Sequence, residues 1–212
     1  MAQVDLIVFD KTGTLTEGGD PKVSGAEILT ANSPLERKVI LGIAANLESA
    51  SSHPLGTAIR RFCESEDASP VTGSMFEETA GRGLKARFEN PRCTAIIGNE
   101  AWLEEHAAFV EDYVSHRLEA WKAEAKSVIL LAVRDESESQ LEPKPFHVVA
   151  LFAVSDQLRP EAKLTVARLQ HEGIGTWMIS GDNVKTAQAV AQAVGIPATN
   201  VIAGVLPHEK VI

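Results

Sequence analysis

The chain has 212 residues, 44% of them hydrophobic, which is enough apolar material for one large domain or two small ones with separate cores. Its formal charge of −9 at pH 7, with acidic residues scattered and basic residues never in a run, argues against a surface built to hold nucleic acid or anionic lipid. Cys63 and Cys93 lie far apart with no CxxC and no His/Cys cluster around them, so neither a zinc site nor a disulfide framework is suggested.

No run approaches the roughly 18 consecutive apolar residues of a membrane helix, and MAQVDLIVFD lacks the basic start and long apolar core of a signal peptide. The chain as given reads as soluble. It opens directly on a strand-like run and stops at Lys210-Val211-Ile212 in what reads as the start of a helix, so it is expected to be a piece of a longer protein.

Residues 4 to 9 form an apolar, β-branched strand followed at once by the polar, Gly-containing turn DKTGTLTEGGD, which delivers Asp10 to a loop. From about Ser33 to Glu66 apolar residues recur at threes and fours after two Ser/Pro entries, predicting two consecutive helices. Between Val71 and Leu103 short strands are expected at MFEETAGRGLKARF and CTAIIGN, punctuated by Gly, Asn and Pro. A helical stretch from Glu104 to Lys126 precedes the strand SVILLAVRD, the surface loop DESESQLEPKP and the strand HVVALFAV. These pieces predict an antiparallel sheet with helices.

From VALFAVSD onward strand and helix patterns alternate, through a helix at LRPEAKLTVARLQHEG, a strand at GTWMIS, a helix at VKTAQAVAQAVG and a short strand at NVIAGV. Such alternation predicts a doubly wound parallel sheet. The first strand and the strands after residue 148 are expected to share that sheet, with residues 1–20 and 149–212 forming one domain and residues 21–148 an inserted lobe. Trp102, Trp121 and Phe109 are read as core anchors.

A carboxylate at the C-terminal end of a parallel strand sits where open α/β sheets place their active sites, and Asp10 has that position. An aspartate can attack phosphorus and hold the phosphoryl group as a mixed anhydride. Lys11, Thr12, Gly13 and Thr14 add hydroxyls and backbone N–H donors in a loop that glycine permits. Asp, Gly and Thr are also ordinary turn residues. At the second strand tip, Ser180-Gly181-Asp182-Asn183 offers a hydroxyl and helix N-terminal N–H groups to phosphate oxygens, although a plain N-cap turn reads the same.

The heptapeptide DKTGTLT at residues 10 to 16 resembles the phosphorylation signature of P-type ATPases. That resemblance implies a haloacid-dehalogenase-like phosphorylation (P) domain with Asp10 as the acceptor of an aspartyl phosphate. Soluble phosphatases of that superfamily carry a second Asp two residues after the nucleophile, and here the position is Thr12. Threonine has no carboxyl with which to act as acid or base, so the acyl phosphate is expected to persist. Ser180-Gly181-Asp182 resembles the family's TGD motif with Ser in place of Thr. Pro207-His208-Glu209-Lys210 resembles PxxK, whose lysine neutralises the phosphoryl group. Asp156 with Arg159-Pro160 resembles the DxxRP hinge, or is a helix N-cap followed by Pro.

In the middle lobe, His53 before Pro54 opens a helix and offers a ring to adenine or serves as a cap, and Glu48 offers an acceptor to the adenine amino group. Gly81, Gly83 and the pair Gly98-Asn99 mark bends where a ligand or a turn comes close. The set Glu48, His53-Pro54, Gly81, Gly83, Gly98 and Asn99, in that order, resembles the nucleotide-binding (N) domain of the heavy-metal, copper-type subgroup. It implies ATP held without a Walker A sequence, its γ-phosphate carried to Asp10 by lobe closure about crossings near residues 18–22 and 146–156.

The same resemblance implies Mg2+ on Asp10 and the backbone carbonyl of Thr12, a transported heavy-metal cation (copper first, zinc or other soft divalent ions behind it), an actuator domain and a membrane domain, with this part on the cytoplasmic face. The family's GDGxNDxP loop is not among residues 1–212, so this part alone is expected to be a weak or inactive ATPase. A soluble phosphatase with a cap domain and a non-catalytic ATP-binding module stay open as alternatives.

Overall fold

In the computed structural model, residues 4–17, 21–137 and 144–206 are described, and they divide into two compact units. In chain order the elements are β1 (Leu6–Asp10), β2 (Lys22–Ile28), α1 (Arg37–Glu48), α2 (Pro54–Ser65), β3 (Gly73–Thr79), β4 (Gly83–Glu89) and β5 (Arg92–Gly98). There follow α3 (Glu100–Glu105), α4 (Asp112–Ala123), β6 (Ser127–Asp135), β7 (His147–Ser155), α5 (Ala162–His171), β8 (Gly175–Ile179), α6 (Val184–Val194) and β9 (Val201–Ile202). Short helical turns lie at Thr30–Asn32 and Ala198–Asn200, and a non-helical turn follows β1 at Lys11–Leu15.

The first unit comprises residues 1–21, 119–127 and 155–212. Its described strands form a parallel sheet in the order β1-β8-β9, with Asp10 opposite Ile179 and Met178 opposite Val201. Parallel neighbours need long crossovers, supplied here by everything between β1 and β8 and by α6 between β8 and β9. Leu15, Ala162, Val166, Met178, Ala187, Val190, Ala191, Val194 and Ile196 are buried together beneath α5 and α6. The entry to α6 is capped by Asn183, whose Oδ1 accepts from the Thr186 N–H at 3.1 Å, and its exit by Gly195 at φ 88°.

The second unit comprises residues 22–118 and 128–154. Its described sheet has the order β2-β7-β6-β5-β4-β3, with antiparallel pairing from β3 through β6. Ile40, Leu41, Ile43, Ala44 and Leu47 of α1 and Ala58, Ile59 and Cys63 of α2 pack on Leu84, Ala86, Phe88, Ala95, Ile97, Leu131 and Val133. The 3.6-residue period of the two helices meets the two-residue period of the strands, and each fully buried aliphatic side chain contributes about 1.5–3 kcal/mol.

The α/β class, a parallel sheet plus an antiparallel one, is as the sequence predicts. Several local expectations are corrected. The run from Val149 to Ser155 belongs to β7, between β2 and β6, rather than to the parallel sheet. β2 had no counterpart in the expected elements. The helix expected from Glu104 to Lys126 breaks into α3 and α4, with Ala107 at φ 49° in the break. Trp102 and Trp121 are buried, but Phe109 is 56% exposed, its ring tilted over His147 at 5.9 Å, so it is no core anchor.

Residues 119–127 cluster with the first unit, although both their neighbours in sequence belong to the second. The bonds that hold them are specific: the Thr186 hydroxyl donates to the Lys126 carbonyl at 3.1 Å, Lys185 pairs with Glu119, and Ser127 donates to Asp182 at 3.0 Å.

Candidate active site

Asp10 ends β1, and the chain then turns through Lys11–Leu15. Thr12 is extended (φ −75°, ψ 123°) and Gly13 left-handed (φ 78°), a conformation that glycine adopts without a Cβ penalty. Thr12, Gly13 and Thr14 are exposed, whereas Lys11 and Thr16 are buried. The buried Thr16 hydroxyl bonds the Lys11 carbonyl at 3.0 Å and the Asp156 carboxylate.

Residues 156–159 brace the loop further. Glu17 N–H donates to the Gln157 carbonyl at 2.8 Å, Arg159 N–H to the Leu15 carbonyl at 2.9 Å, and the Arg159 guanidinium to the Gly13 carbonyl at 3.1 Å. Helix α5 begins only at Ala162 with Glu161 at its N-cap, so Asp156 is not a helix cap. It is an anchor for the loop after β1.

The Lys11 ammonium, 6% exposed, forms an ion pair with the Asp182 carboxylate at the tip of the neighbouring strand. The Asp182 Oδ2 also accepts from Ser180 Oγ at 3.0 Å, and Oδ1 accepts from Ser127 Oγ at 3.0 Å. Burial opposes ionisation of Asp182, yet the Lys11 charge and the hydrogen bonds from Lys11, Ser180 and Ser127 outweigh it and hold the carboxyl below its ordinary 3.8. Ser180 is 1% exposed and its Oγ accepts from the Asp182 N–H at 3.1 Å, closing the turn, while Gly181 is exposed. The N-cap of α6 is Asn183 rather than Ser180. Lys210 lies outside the described residues.

The residues expected in the middle lobe fall into two groups. Gly81, Gly83, Gly98 and Asn99 come together where the β3–β4 turn meets the end of β5. Gly83 pairs with Gly98, Asn99 Nδ2 donates to the Gly81 carbonyl at 2.9 Å, and Asn99 Oδ1 caps α3 by accepting the Trp102 N–H at 3.0 Å. A Cβ on Gly83 would lie 2.5 Å from the Trp102 ring and one on Gly98 2.7 Å from it. Backbone carbonyls would come closer still, Ile97 O at 2.3 Å from the Cβ on Gly83 and Arg82 O at 2.4 Å from that on Gly98. Backbone and indole together therefore crowd these two glycines within the fold, and the indole Nε1–H donates to the Leu84 carbonyl at 3.2 Å.

His53 and Glu48 flank the connection between α1 and α2. The exposed His53 is the N-cap of α2, its Nδ1 accepting from the Leu55 N–H at 3.2 Å, with Pro54 in the first turn. Glu48 is buried, and its Oε2 would lie 2.3 Å from a Cβ on Gly56, so a side chain at that position would have to displace the carboxyl. Burial, reinforced by the negative charge of Glu78 on β3, raises the Glu48 carboxyl from 4.5 to about 7.

A raised folded value means that the Glu48 contribution to stability is fully present below 4.5 and is lost as pH rises through about 7. The loss is about 3 kcal/mol, from the shift between 4.5 and about 7 at roughly 1.4 kcal/mol per unit. Glu48→Gln removes the titration, so the stability of the wild type relative to this variant should fall by about that amount between pH 4.5 and pH 8. Denaturant unfolding at several pH values measures it. Parallel curves for the two proteins would show that the carboxyl is not held neutral.

Among the described residues no cluster of three His, Cys, Asp or Glu side chains is placed to hold a metal. The oxygens of the Asp10 carboxylate, at the half-buried end of β1, and of the carbonyl of the exposed, extended Thr12 are hard donors suited to a Mg2+ ion that keeps most of its ligands as water and phosphate.

A family model of haloacid dehalogenase-like hydrolases matches residues 4–211. Among curated proteins, the "Probable copper-transporting ATPase PacS" of Synechococcus elongatus is 34% identical over 207 residues, covering 98% of this chain and 25% of that protein. The "Copper-exporting P-type ATPase" of Vibrio cholerae is 34% identical over 209 residues, covering 99% of this chain and 20% of that protein. The chain thus spans a quarter or less of the length of these relatives.

Among solved structures, a zinc-transporting PIB-type ATPase in the E2.Pi state superposes with TM-score 0.57 at 25% identity, over 98% of this chain and 30% of that one. The catalytic domain of the CPx-ATPase CopB-B superposes with TM-score 0.64 at 22% identity, over 98% of this chain and 64% of that one, a likeness of fold.

Proposed function

We propose a function from one premise: the chain belongs to the haloacid dehalogenase-like hydrolase family. Within that family it acts as the ATP-binding and phosphorylation headpiece of a heavy-metal P-type ATPase, and copper is the transported ion that its relatives' names favour. The first unit is the P domain and the second the N domain. The observation that carries the reading is Asp10 at the C-terminal tip of β1, opening DKTGTLT, beside the Ser180-Gly181-Asp182 turn at the tip of parallel β8.

In this reading one Asp10 carboxylate oxygen attacks the γ-phosphorus of ATP, and the bond to the bridging oxygen breaks with its electron pair leaving on ADP. Asp10 and the Thr12 carbonyl would hold Mg2+, which neutralises charge on the transferring phosphoryl group. The N–H of Gly181, an exposed residue, meets phosphoryl oxygens and Lys210 adds positive charge, while the buried Ser180 hydroxyl, already bonded to Asp182, holds the turn in place. Thr12 offers no acid or base to hydrolyse the product, so the aspartyl phosphate lasts long enough to drive a conformational cycle.

Adenine is held in the second unit by His53, Glu48 and the Gly81, Gly83, Gly98, Asn99 cluster. The wider partners are an actuator domain and a membrane domain, with this headpiece at the cytoplasmic face. Among the described residues no helix is long and apolar enough to cross a membrane.

Calorimetric titration of the chain with ATP, with and without Mg2+, tests the adenine site. Weak to moderate binding is expected, little dependent on Mg2+ and lost in His53→Gln and in Glu48→Ala. Binding indifferent to both substitutions, or turnover of simple phosphate esters without nucleotide binding, would move the assignment to a soluble phosphatase.

A further inference from the structure

The Lys11–Asp182 pair joins the loops that follow β1 and β8, and the side chain that closes it comes from neither loop. Ser127, the first residue of β6, is 7% exposed. Its Oγ accepts from the Lys11 ammonium at 3.4 Å and donates to Asp182 Oδ1 at 3.0 Å. A hydroxyl can accept and donate at once, which suits a position between a cation and an anion.

The backbone around Ser127 is held for this purpose. The end of α4 is closed by Ala125 N–H to the Lys122 carbonyl at 3.0 Å and Lys126 N–H to the Trp121 carbonyl at 3.1 Å. Ala125 takes φ 62° there, a left-handed conformation that costs an alanine energy. The next residue is pinned through its carbonyl by the Thr186 hydroxyl at 3.1 Å, in the first turn of α6. Two independent anchors on consecutive residues hold the backbone that carries the Ser127 hydroxyl.

Asp182 then has all its partners: Ser127 on Oδ1, Ser180 and Lys11 on Oδ2. Two of the three Lys11 N–H donors are engaged, by Asp182 and by Ser127. An ammonium fixed on two sides presents its third donor in a set direction, which is the condition for electrostatic preorganisation.

We propose that Ser127 is a positioning residue for the phosphorylation of Asp10, its hydroxyl fixing the Lys11 ammonium and the Asp182 carboxylate against each other at the tips of β1 and β8. The proposal rests on the reading of Asp10 as phosphoryl acceptor. Removing the hydroxyl leaves Asp182 Oδ1 and one ammonium donor facing a methyl group, so Lys11 is held by Asp182 Oδ2 alone and its direction is less fixed. Because the adenine residues lie in the other unit, ATP affinity is not expected to change.

The test compares wild type, Ser127→Ala and Ser127→Thr in the full-length protein, by rapid-quench incorporation of labelled γ-phosphate at saturating ATP and by calorimetric ATP affinity. Acylation of Lys11 by an amine-reactive reagent, read by mass spectrometry, follows the ammonium directly. Loss of a hydrogen bond to charged groups predicts that Ser127→Ala slows incorporation about 10- to 100-fold. ATP affinity should stay at the wild-type value, and Lys11 should become reactive. Ser127→Thr should restore both the rate and the protection, which simple loss of packing would not.

Incorporation at the wild-type rate in Ser127→Ala, or a Ser127→Thr as slow as the alanine variant, overturns the role of Ser127 alone. If wild type itself takes no hydroxylamine-labile label, the assignment of Asp10 falls and the Ser127 proposal with it. Should Ser127→Ala fail to fold, Ser127→Cys, nearly isosteric but a weak donor, is expected to fold and to fall between alanine and wild type in rate. A wild-type rate in that variant overturns the proposal.

Discussion

Asp10→Asn is expected to abolish hydroxylamine-labile incorporation of phosphate from ATP while leaving ATP affinity at the wild-type value. The amide has nearly the volume of the carboxylate, so the strand β1, its parallel pairing with β8 and the turn at Lys11–Leu15 should all survive. What is lost is the anionic oxygen that attacks phosphorus, and the described carboxylates nearby are committed elsewhere, Asp156 to the Thr16 hydroxyl. Thr12 carries no carboxyl, and Asp182 is committed to Lys11, Ser127 and Ser180. The effect is therefore a loss of chemistry rather than a slower version of it. The check is an acid-quenched phosphoprotein assay with hydroxylamine treatment, beside calorimetry on the same preparation. Labile label persisting in the variant would place the acceptor on another carboxylate and overturn the assignment.

The parts of the fold legible in the sequence are those whose signals are local. β1 is a run of apolar residues that ends at a polar turn, and both the strand and the placement of Asp10 follow from that pattern. Helices α1 and α2 announce themselves by apolar spacing and by Pro54 in the first turn of the second. β2 is not legible because its residues are mostly half-buried and include Ser24 and Gly25, so neither alternation nor an apolar run marks it. Phe109 misled for the opposite reason: an aromatic residue suggests a core, but a bridge to His147 leaves its ring on the surface.

The partners of the site residues were harder still. Ser127 lies 116 residues from Lys11 and 55 from Asp182, and no local pattern encodes contacts at such distances. The only sequence hint was its place at the start of a strand, a polar residue before the apolar run from Val128 to Val133. The close fit of Trp102 on Gly83 and Gly98 was likewise invisible. The sequence showed the glycines as places of close approach, while the body that approaches is set by the turn from β5 into α3.

Lys11→Met is expected to destabilise the first unit by about 3–5 kcal/mol, because a buried carboxylate is left without its counter-ion. The side chains of Lys11 and Asp182 are 7% and 17% exposed, so water can repair little of the loss. The hydroxyls of Ser127 and Ser180 still donate to Asp182, but dipoles do not replace a full charge in a low-dielectric site. Amide exchange along β1 and β8 reads the opening of this unit directly, where a global melting curve mixes both units. Adding Asp182→Asn should recover much of the loss, since it removes the stranded charge while keeping a side chain able to bond both serines. The pH dependence has a defined sign. The folded value of Asp182 lies below 3.8, so the pair's contribution is present above that pH and disappears as pH falls through the folded value. Lys11→Met should lose this acid-sensitive term. A cost below about 1 kcal/mol, of the size found for exposed ion pairs, would mean that the two groups are solvated and that the tie between the strand tips is not made.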